Sequence, residues 1–305
     1  MILHLNVKPD FGKGGGNIFQ TSKIVEWLNR IGVGAYYGHW ESKLDFKEYD
    51  IFHIWGLNVF WAKVYYNIAK NLRKPYVITP VYLEGSQISI KDQQEILDNA
   101  EKIIVAGEKE IEYMARELNV PNKCVIINNG TDVQPKKVKK NNKLLIAARI
   151  EERKNIYNVV RAAKEAKVEI DVIGKIQKGV WEDEEEYYKK ILALEWGNLL
   201  DHQNPIPFYE KADTLVIGSY REIDPLVFYE AAILNCKIML TEESGIAKEY
   251  KNFKDVMIID PYNIKASEIK EMVNRKLSGD LKEYVLNNHL WVHSVTKLKE
   301  LYEAI

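Results

Sequence analysis

The sequence predicts an α/β protein built from two tandem, doubly wound parallel-sheet domains of Rossmann type, and three observations predict it. Short apolar runs rich in β-branched residues alternate with longer amphipathic stretches along almost the whole chain, the pattern of strands buried on both faces by crossover helices. The 305 residues exceed what one core ordinarily organises, since domains run to roughly 100–200 residues. Near the midpoint the run 135–142 (PKKVKKNN), almost without apolar content, interrupts the alternation and reads as a solvated interdomain linker. Two such sheets in tandem can face each other across a cleft, and open α/β sheets bind ligands at the carboxyl ends of their strands.

The elements follow in order. Residues 2–7 read as a strand, 12–17 as a glycine loop, and 18–31 as a helix whose apolar positions include Ile18, Phe19, Ile24, Val25 and Leu28. Next come a strand at 51–55, a helix at 59–72, a strand at 76–79, a helix at 93–99, a strand at 102–106, a helix at 108–118 and a strand at 124–127. After the linker the pattern gives a strand at 143–148, a helix at 155–166, a strand at 169–173 and an acidic helix at 182–194. Strands at 214–218, 237–241 and 256–259 are separated by helices at 225–234 and 245–250. A final helical stretch, 266–277 and then 284–305 around Trp291, is expected to cross back and brace the first domain. The expected domains are therefore 1–135 and 143–280, with 281–305 packing on the first. No sequence repeat relates the halves, so their similarity is architectural.

Composition narrows the function. With 46% hydrophobic and 29% charged residues, disorder and low complexity are excluded. Lys+Arg 43 against Asp+Glu 44 leaves a net charge of -1, without the basic excess that bulk nucleic-acid binding uses. No stretch approaches ~18 consecutive apolar residues, and the first residues lack a signal-peptide pattern, so a cytoplasmic protein is expected. Cys124 and Cys236 lie far apart in apolar runs, as reduced packed thiols do. His39, His202, His289 and His293 pair with no candidate nucleophile, and there is no Asp-x-Asp, so neither a hydrolase triad nor a metal-held nucleotide is expected; the acidic run 183–186 reads as a solvent-facing helix end.

Three constellations carry chemistry. In Tyr220-Arg221-Glu222-Ile223-Asp224-Pro225-Leu226-Val227-Phe228-Tyr229-Glu230, two glutamates bracket a helix start. Asp224 suits the N-cap and Pro225 the first helical position, leaving the amides of Leu226, Val227 and Phe228 free at the positive end of the helix dipole. Such a terminus attracts anions. Glu222 falls on the loop beside it, and Glu230, one turn in, suits the vicinal hydroxyls of a ribose. Second, Leu144-Leu145-Ile146-Ala147-Ala148-Arg149 ends a strand on Arg149 and is followed by Lys154 at the next helix start. A planar guanidinium and a mobile ammonium together suit a departing diphosphate. Third, the loop 12–17 (GKGGGN) contains Gly15 and Gly16, where backbone can approach a ligand closely. It is neither a GxGxxG fingerprint nor a P-loop.

In this order, the elements resemble the retaining GT-B-fold glycosyltransferases of family 4, over nearly the whole chain. The family's glycine loop is matched by Gly14, Gly15 and Gly16, its "Asp-hydrophobic-hydrophobic-His" strand by Asp50-Ile51-Phe52-His53, and the end of its first domain loosely by Asn128-Asn129-Gly130-Thr131-Asp132. Its Gly-Arg strand end and Lys correspond to Ala148, Arg149 and Lys154, its Glu-x7-Glu to Glu222 and Glu230, and its Gly-Gly-Ile-x-Glu to the segment 244–249. The resemblance implies that Arg149 and Lys154 hold the donor diphosphate, Glu222 the transferred sugar and Glu230 the ribose. It further implies donor contacts from Gly15, Gly16, Leu226 and Val227, and catalytic roles for Glu222, Arg149 and Lys154. No metal or cofactor is implied; a UDP- or GDP-sugar is the co-substrate, and the acceptor is the hydroxyl of a glycan, lipid or small molecule, a lipid bringing the protein to a membrane surface. Two departures stand out. Thr79 is followed by Pro80, Val81 and Tyr82 where the family carries a histidine, and Glu222-Ile223-Asp224-Pro225 replaces Glu-Gly-Phe-Gly, so Pro225 removes one amide donor. The alternatives these departures raise are a catalytically silent nucleotide-sugar-binding subunit and a nucleotide-sugar epimerase or hydrolase of the same fold.

Overall fold

A computed structural model describes residues 1–6, 16–39, 41–82, 85–137, 139–175 and 182–305, with the backbone alone at 182–184. The chain forms two compact units, residues 1–130 together with 289–305, and residues 131–288.

The first unit contains β1 (Ile2–Leu5), α1 (Gly16–Arg30), β2 (Ala35–Gly38), β3 (Ile51–Trp55), α2 (Phe60–Leu72), β4 (Tyr76–Thr79), α3 (Ile90–Asn99), β5 (Lys102–Val105), α4 (Glu108–Met114) and β6 (Cys124–Ile126). The second contains β7 (Leu144–Ala147), α5 (Ile156–Ala166), β8 (Ile170–Ile173), α6 (Glu182–Leu192), β9 (Asn198–Leu200), α7 (Ile206–Lys211), β10 (Thr214–Ile217), α8 (Leu226–Ile233), β11 (Lys237–Thr241), α9 (Ala247–Tyr250), β12 (Val256–Ile259), α10 (Ala266–Asn274) and α11 (Asp280–Asn288). The last helix, α12 (Trp291–Glu303), belongs to the first unit and packs on α1.

Both sheets are parallel throughout the described residues, with strand orders β2-β1-β3-β4-β5-β6 and β12-β11-β10-β7-β8-β9. In each the order reverses once, between β1 and β3 and between β7 and β10. Such a switch point opens a crevice at the carboxyl ends of its two strands, the general ligand position in doubly wound sheets. β1, β3, β4, β7, β10 and β11 are buried along their whole length or nearly so, as strands covered on both faces must be. Over the second sheet α5 lays Ile156, Val159, Val160 and Ala163, one apolar stripe at helical spacing.

α12 is locked to the first sheet by a buried polar cluster. His4 on β1 and His53 on β3 are register partners; His53 Nε2 lies 2.7 Å from the Thr79 hydroxyl and Nδ1 2.6 Å from that of Tyr302 on α12. The Trp55 indole N–H donates to His4 Nδ1 at 3.3 Å. Behind α12, a Cβ added at Gly130 would stand 2.5 Å from the Trp291 backbone nitrogen, so only glycine allows this approach. Ser294 adds a hydrogen bond to the Asn128 carbonyl at 2.8 Å.

Several expectations shift. The stretch expected to be helical over 266–277 and 284–305 divides into α10, α11 and α12, because the Asp255 carboxylate takes the Ser278 and Gly279 amides, each at 2.7 Å, and Gly279 turns the chain at φ 84°. Of residues 281–305, 289–305 join the first unit while α11 stays with the second, packed on α8. The run 135–142 has no regular structure where described, yet it is not a freely solvated linker: Lys136 pairs with Glu210 at 2.6 Å, the Asn141 amide donates to the Lys211 carbonyl, and Lys140 to that of Tyr209. β2, β9 and α7 had no counterpart in the sequence reading. The glycine loop lies outside the described residues except for Gly16 and Asn17. Cys124 is half-buried and Cys236 buried, and both are free thiols. Among the described residues no helix is long and apolar enough to cross a membrane.

Candidate functional site

Six of the eight candidate residues belong to the second unit and cluster around its switch point; Gly16 opens α1 in the first unit, and Gly15 lies outside the described residues. A Cβ on Gly16 would meet nothing within 4 Å, so no packing inside the chain requires glycine there.

Arg149 follows β7, and Glu222 follows β10, the two strands that flank the switch. The end of β7 is fixed by close backbone contact, since a Cβ at Gly174 would stand 1.8 Å from the Ala148 carbonyl oxygen. From Arg149 the chain makes a single 3₁₀ turn over Glu152–Lys154 and enters α5 through Asn155, a left-handed residue at φ 56°. Asn155 is buried and its side-chain amide donates to the Gly218 carbonyl at 3.0 Å and the Pro261 carbonyl at 2.7 Å. It thereby ties the turn that carries Lys154 to the ends of β10 and β12.

Around this turn three cations, Arg149, Arg153 and Lys154, pair with two carboxylates, Glu151 and Glu222. Glu151 accepts from Arg153 at 2.7 Å and from Arg149 at 3.4 Å, and Arg153 also donates to the Arg221 carbonyl at 2.9 Å. Lys154 is bonded to Glu222, whose carboxylate lies 4.0 Å from Arg153 as well, with the Ser219 hydroxyl 3.4 Å away. Side-chain exposure separates the roles: 15% for both Lys154 and Glu222 against 41% for Arg149, which keeps a solvent-facing fork. Burial raises the Glu222 carboxyl, but the Lys154 and Arg153 cations outweigh it and hold it below the usual carboxylate range. Burial likewise depresses the Lys154 ammonium, and Glu222 offsets only part of that.

α8 starts one residue later than the sequence suggests. Pro225, not Asp224, is the N-cap, and the Asp224 carboxylate instead accepts from the Tyr229 hydroxyl at 2.6 Å. The Phe228 amide bonds back to the Pro225 carbonyl at 2.9 Å, so it is not one of the available donors. The amides of Leu226 and Val227 have no hydrogen-bond partner among the described residues. They form a two-donor anion seat at the positive end of the helix. Glu230, half-buried one turn further on, accepts from the buried Tyr209 hydroxyl at 3.2 Å. Burial lifts its carboxyl to about 6, with the Tyr209 hydrogen bond acting in the opposite direction. Of the acidic run 183–186, Glu185 and Glu186 are exposed and pair with Lys189 and Lys190 at 3.2 Å, while the side chains of Asp183 and Glu184 lie outside the description.

Sequence reasoning did not find Arg153, Asn155, Gly174 or Tyr209. A strand ending on glycine at Ile170-Asp171-Val172-Ile173-Gly174 was a legible signal; Asn155 and Tyr209 act through distant chain segments and left none.

The fold is that of a two-sheet, doubly wound α/β protein with a cationic turn beside a helix N-terminus, and comparison with known proteins fixes the class. Residues 128–285 match the family described as Glycosyl transferases group 1, so the chain belongs to that family of glycosyltransferases. No curated protein sequence matches it. Among solved structures, a sucrose-phosphate synthase from Thermosynechococcus elongatus superposes with a TM-score of 0.81 at 15% identity, over 99% of this chain and 98% of that one. The Anabaena protein HepE in complex with UDP gives 0.76 at 14% identity over 100% of both chains. A Rickettsia africae glycosyltransferase gives 0.75 at 15% identity over 99% of this chain and 97% of that one. These likenesses establish the GT-B fold.

Proposed function

We propose that this glycosyltransferase is metal-independent and retaining, that it takes its sugar from a nucleoside-diphosphate sugar, and that Arg149 and Lys154 grip the donor's diphosphate. The observation that supports this most is the Lys154–Glu222 pair, which joins the three-cation turn after β7 to the loop leading from β10 into α8, whose first two amides are without partners among the described residues. In the reaction the bond between the anomeric carbon and the diphosphate oxygen breaks, and a bond from that carbon to the acceptor oxygen forms on the same face. The acceptor's proton passes to the departing phosphate oxygen. Negative charge grows on the leaving diphosphate, and Arg149, Lys154 and the Leu226 and Val227 amides stabilise it where a metal would otherwise be needed. Each charge-assisted contact contributes on the order of 1.5–3 kcal/mol. Glu222 orients the transferred sugar, and Glu230 accepts from the ribose hydroxyls. The acceptor is a hydroxyl of a glycan, a lipid or a small molecule. HepE was solved with UDP, and with UDP and glucose, which supports a UDP-sugar as the first donor to try.

A thermal-unfolding screen of UDP-, GDP-, ADP- and dTDP-sugars tests the reading. At least one donor class raises the unfolding temperature, and that donor, supplied with an acceptor panel, gives transferred product with its anomeric configuration kept. Stabilisation without turnover on any acceptor points to a silent binding subunit. Donor consumed without transfer points to an epimerase or hydrolase.

A further inference from the structure

Glu222 holds a position at odds with a carboxylate that simply awaits a sugar. Its carboxylate is bonded to Lys154, the cation meant for phosphate, and both side chains are largely shielded from water. Among the described residues Arg149, Arg153 and Lys154 pair with two carboxylates, Glu151 and Glu222, and Glu151 is engaged by Arg153 and Arg149. A diphosphate brought to Lys154 while Glu222 stays there would set like charges side by side in a poorly solvated pocket, where their repulsion is little screened. One of the two anions has to yield.

The backbone of Glu222 is in no position to yield. It forms a parallel bridge with Ser244; its amide donates to the Glu243 carbonyl at 3.3 Å, and its carbonyl accepts from the Gly245 amide at 2.8 Å. A Cβ at Gly245 would stand 2.5 Å from the Ile223 carbonyl oxygen, so the two segments are pressed together. Movement is confined to the side chain. Residues opposed in a bridge send their side chains to the same face, and Ser244 is fully buried with a hydroxyl that has no hydrogen-bond partner among the described residues. A buried hydroxyl without a partner calls for a reason, and a carboxylate that arrives on ligand binding supplies one.

Resting on the reading of this pocket as the diphosphate site, we propose that Glu222 is its internal counter-ion: it neutralises Lys154 in the free protein, surrenders that place to the donor's diphosphate, and accepts a hydrogen bond from the Ser244 hydroxyl once released. The consequence is selectivity. A tethered carboxylate outcompetes singly charged anions and monophosphates, and yields to a group that engages Lys154, Arg149 and the α8 amides together.

Isothermal titration with inorganic pyrophosphate and with UDP, neither of which carries a sugar for Glu222 to hold, tests this. Glu222→Gln removes the competing charge and tightens pyrophosphate by about tenfold, the scale of one charge-assisted hydrogen bond. Glu222→Asp, which draws the carboxylate back from Lys154, moves affinity the same way and serves if the glutamine variant does not fold. Ser244→Ala weakens pyrophosphate a few-fold yet leaves the unfolding temperature unchanged or raised, because it deletes an unpaired buried hydroxyl; a purely structural serine would move the two together. Wild-type protein that binds either ligand while the Glu222 variants bind no tighter overturns the inference and leaves the diphosphate site standing. Absence of binding by every folded variant and the wild type overturns both.

Discussion

Lys154 is the most shielded of the three cations at the site, 15% exposed against 28% for Arg153 and 41% for Arg149. Its ammonium is shielded and depressed by that burial, so a phosphate arriving there meets a poorly hydrated charge. Lys154→Ala therefore weakens nucleoside diphosphate binding by about 10- to 100-fold, the worth of one charge-assisted contact. Titration checks it, with near-UV circular dichroism confirming the fold; an unchanged dissociation constant contradicts the assignment. Glu230 provides a separate handle because its carboxyl titrates at about 6. In the proposed ribose role the ionised form accepts from the ribose hydroxyls, so affinity for UDP is expected to rise with pH through that value relative to Glu230→Gln measured beside it. At pH 7.5 the variant loses roughly tenfold toward UDP and keeps its affinity for pyrophosphate, which has no ribose. Equal losses for both ligands, or a pH profile identical to the wild type, contradict the ribose role. The places of these residues at a strand end and a helix start were legible in the sequence because such junctions recur at fixed offsets in a doubly wound sheet; their roles remain the proposal's. Arg153, a charged residue next to a stronger candidate, carries no sequence pattern of its own.

Among elements, α12 and the end of α10 show how side chains far apart in sequence hold the scaffold. Burial pushes His4 down to about 3 and His53 well below its ordinary value, the latter with help from His4. Both are therefore neutral in the fold, and their unfolded forms bind protons first as pH falls below about 6.5. Stability present above that pH is lost below it, by about 1.4 kcal/mol per pH unit for each histidine. Unfolding of the first unit followed from pH 7 to pH 5 checks this, and His4→Gln flattens the slope; a pH-independent midpoint contradicts it. In the second unit, Lys237 is 2% exposed, pairs with Asp213 at 2.9 Å and donates to the carbonyls of Met272, Val273 and Arg275 at the end of α10. Lys237→Met orphans those acceptors and the Asp213 charge and costs roughly 3–5 kcal/mol in denaturant unfolding; a loss below about 1 kcal/mol would mean the pair is solvated. Strands such as β3, β4 and β11 were readable to the residue because burial on both faces makes them continuous apolar runs. β2 and β9 escaped because three or four residues at a sheet edge, partly exposed, leave no such run. The start of α8 was misplaced because Asp224 is a good cap by type, and only the position of Tyr229 shows that its carboxylate is taken elsewhere.

For the whole molecule, a net charge of -1 conceals a local arrangement in which three cations and a helix N-terminus gather at one switch point. The proposed donor contact draws on that local charge and not on the overall balance. The two-sheet architecture followed from hydrophobic alternation alone. The family followed from the order of motifs, and the fit extends over the full length of distant structures. What the sequence did not disclose is the Lys154–Glu222 pairing, because it is a contact between loops 68 residues apart that no local pattern encodes. The most direct test of the central claim is a crystal structure with the nucleoside diphosphate that stabilises the protein best. Its phosphate oxygens are expected within hydrogen-bond reach of Arg149, Lys154 and the Leu226 and Val227 amides; phosphates seated elsewhere, with Lys154 still bonded to Glu222, would contradict the diphosphate assignment.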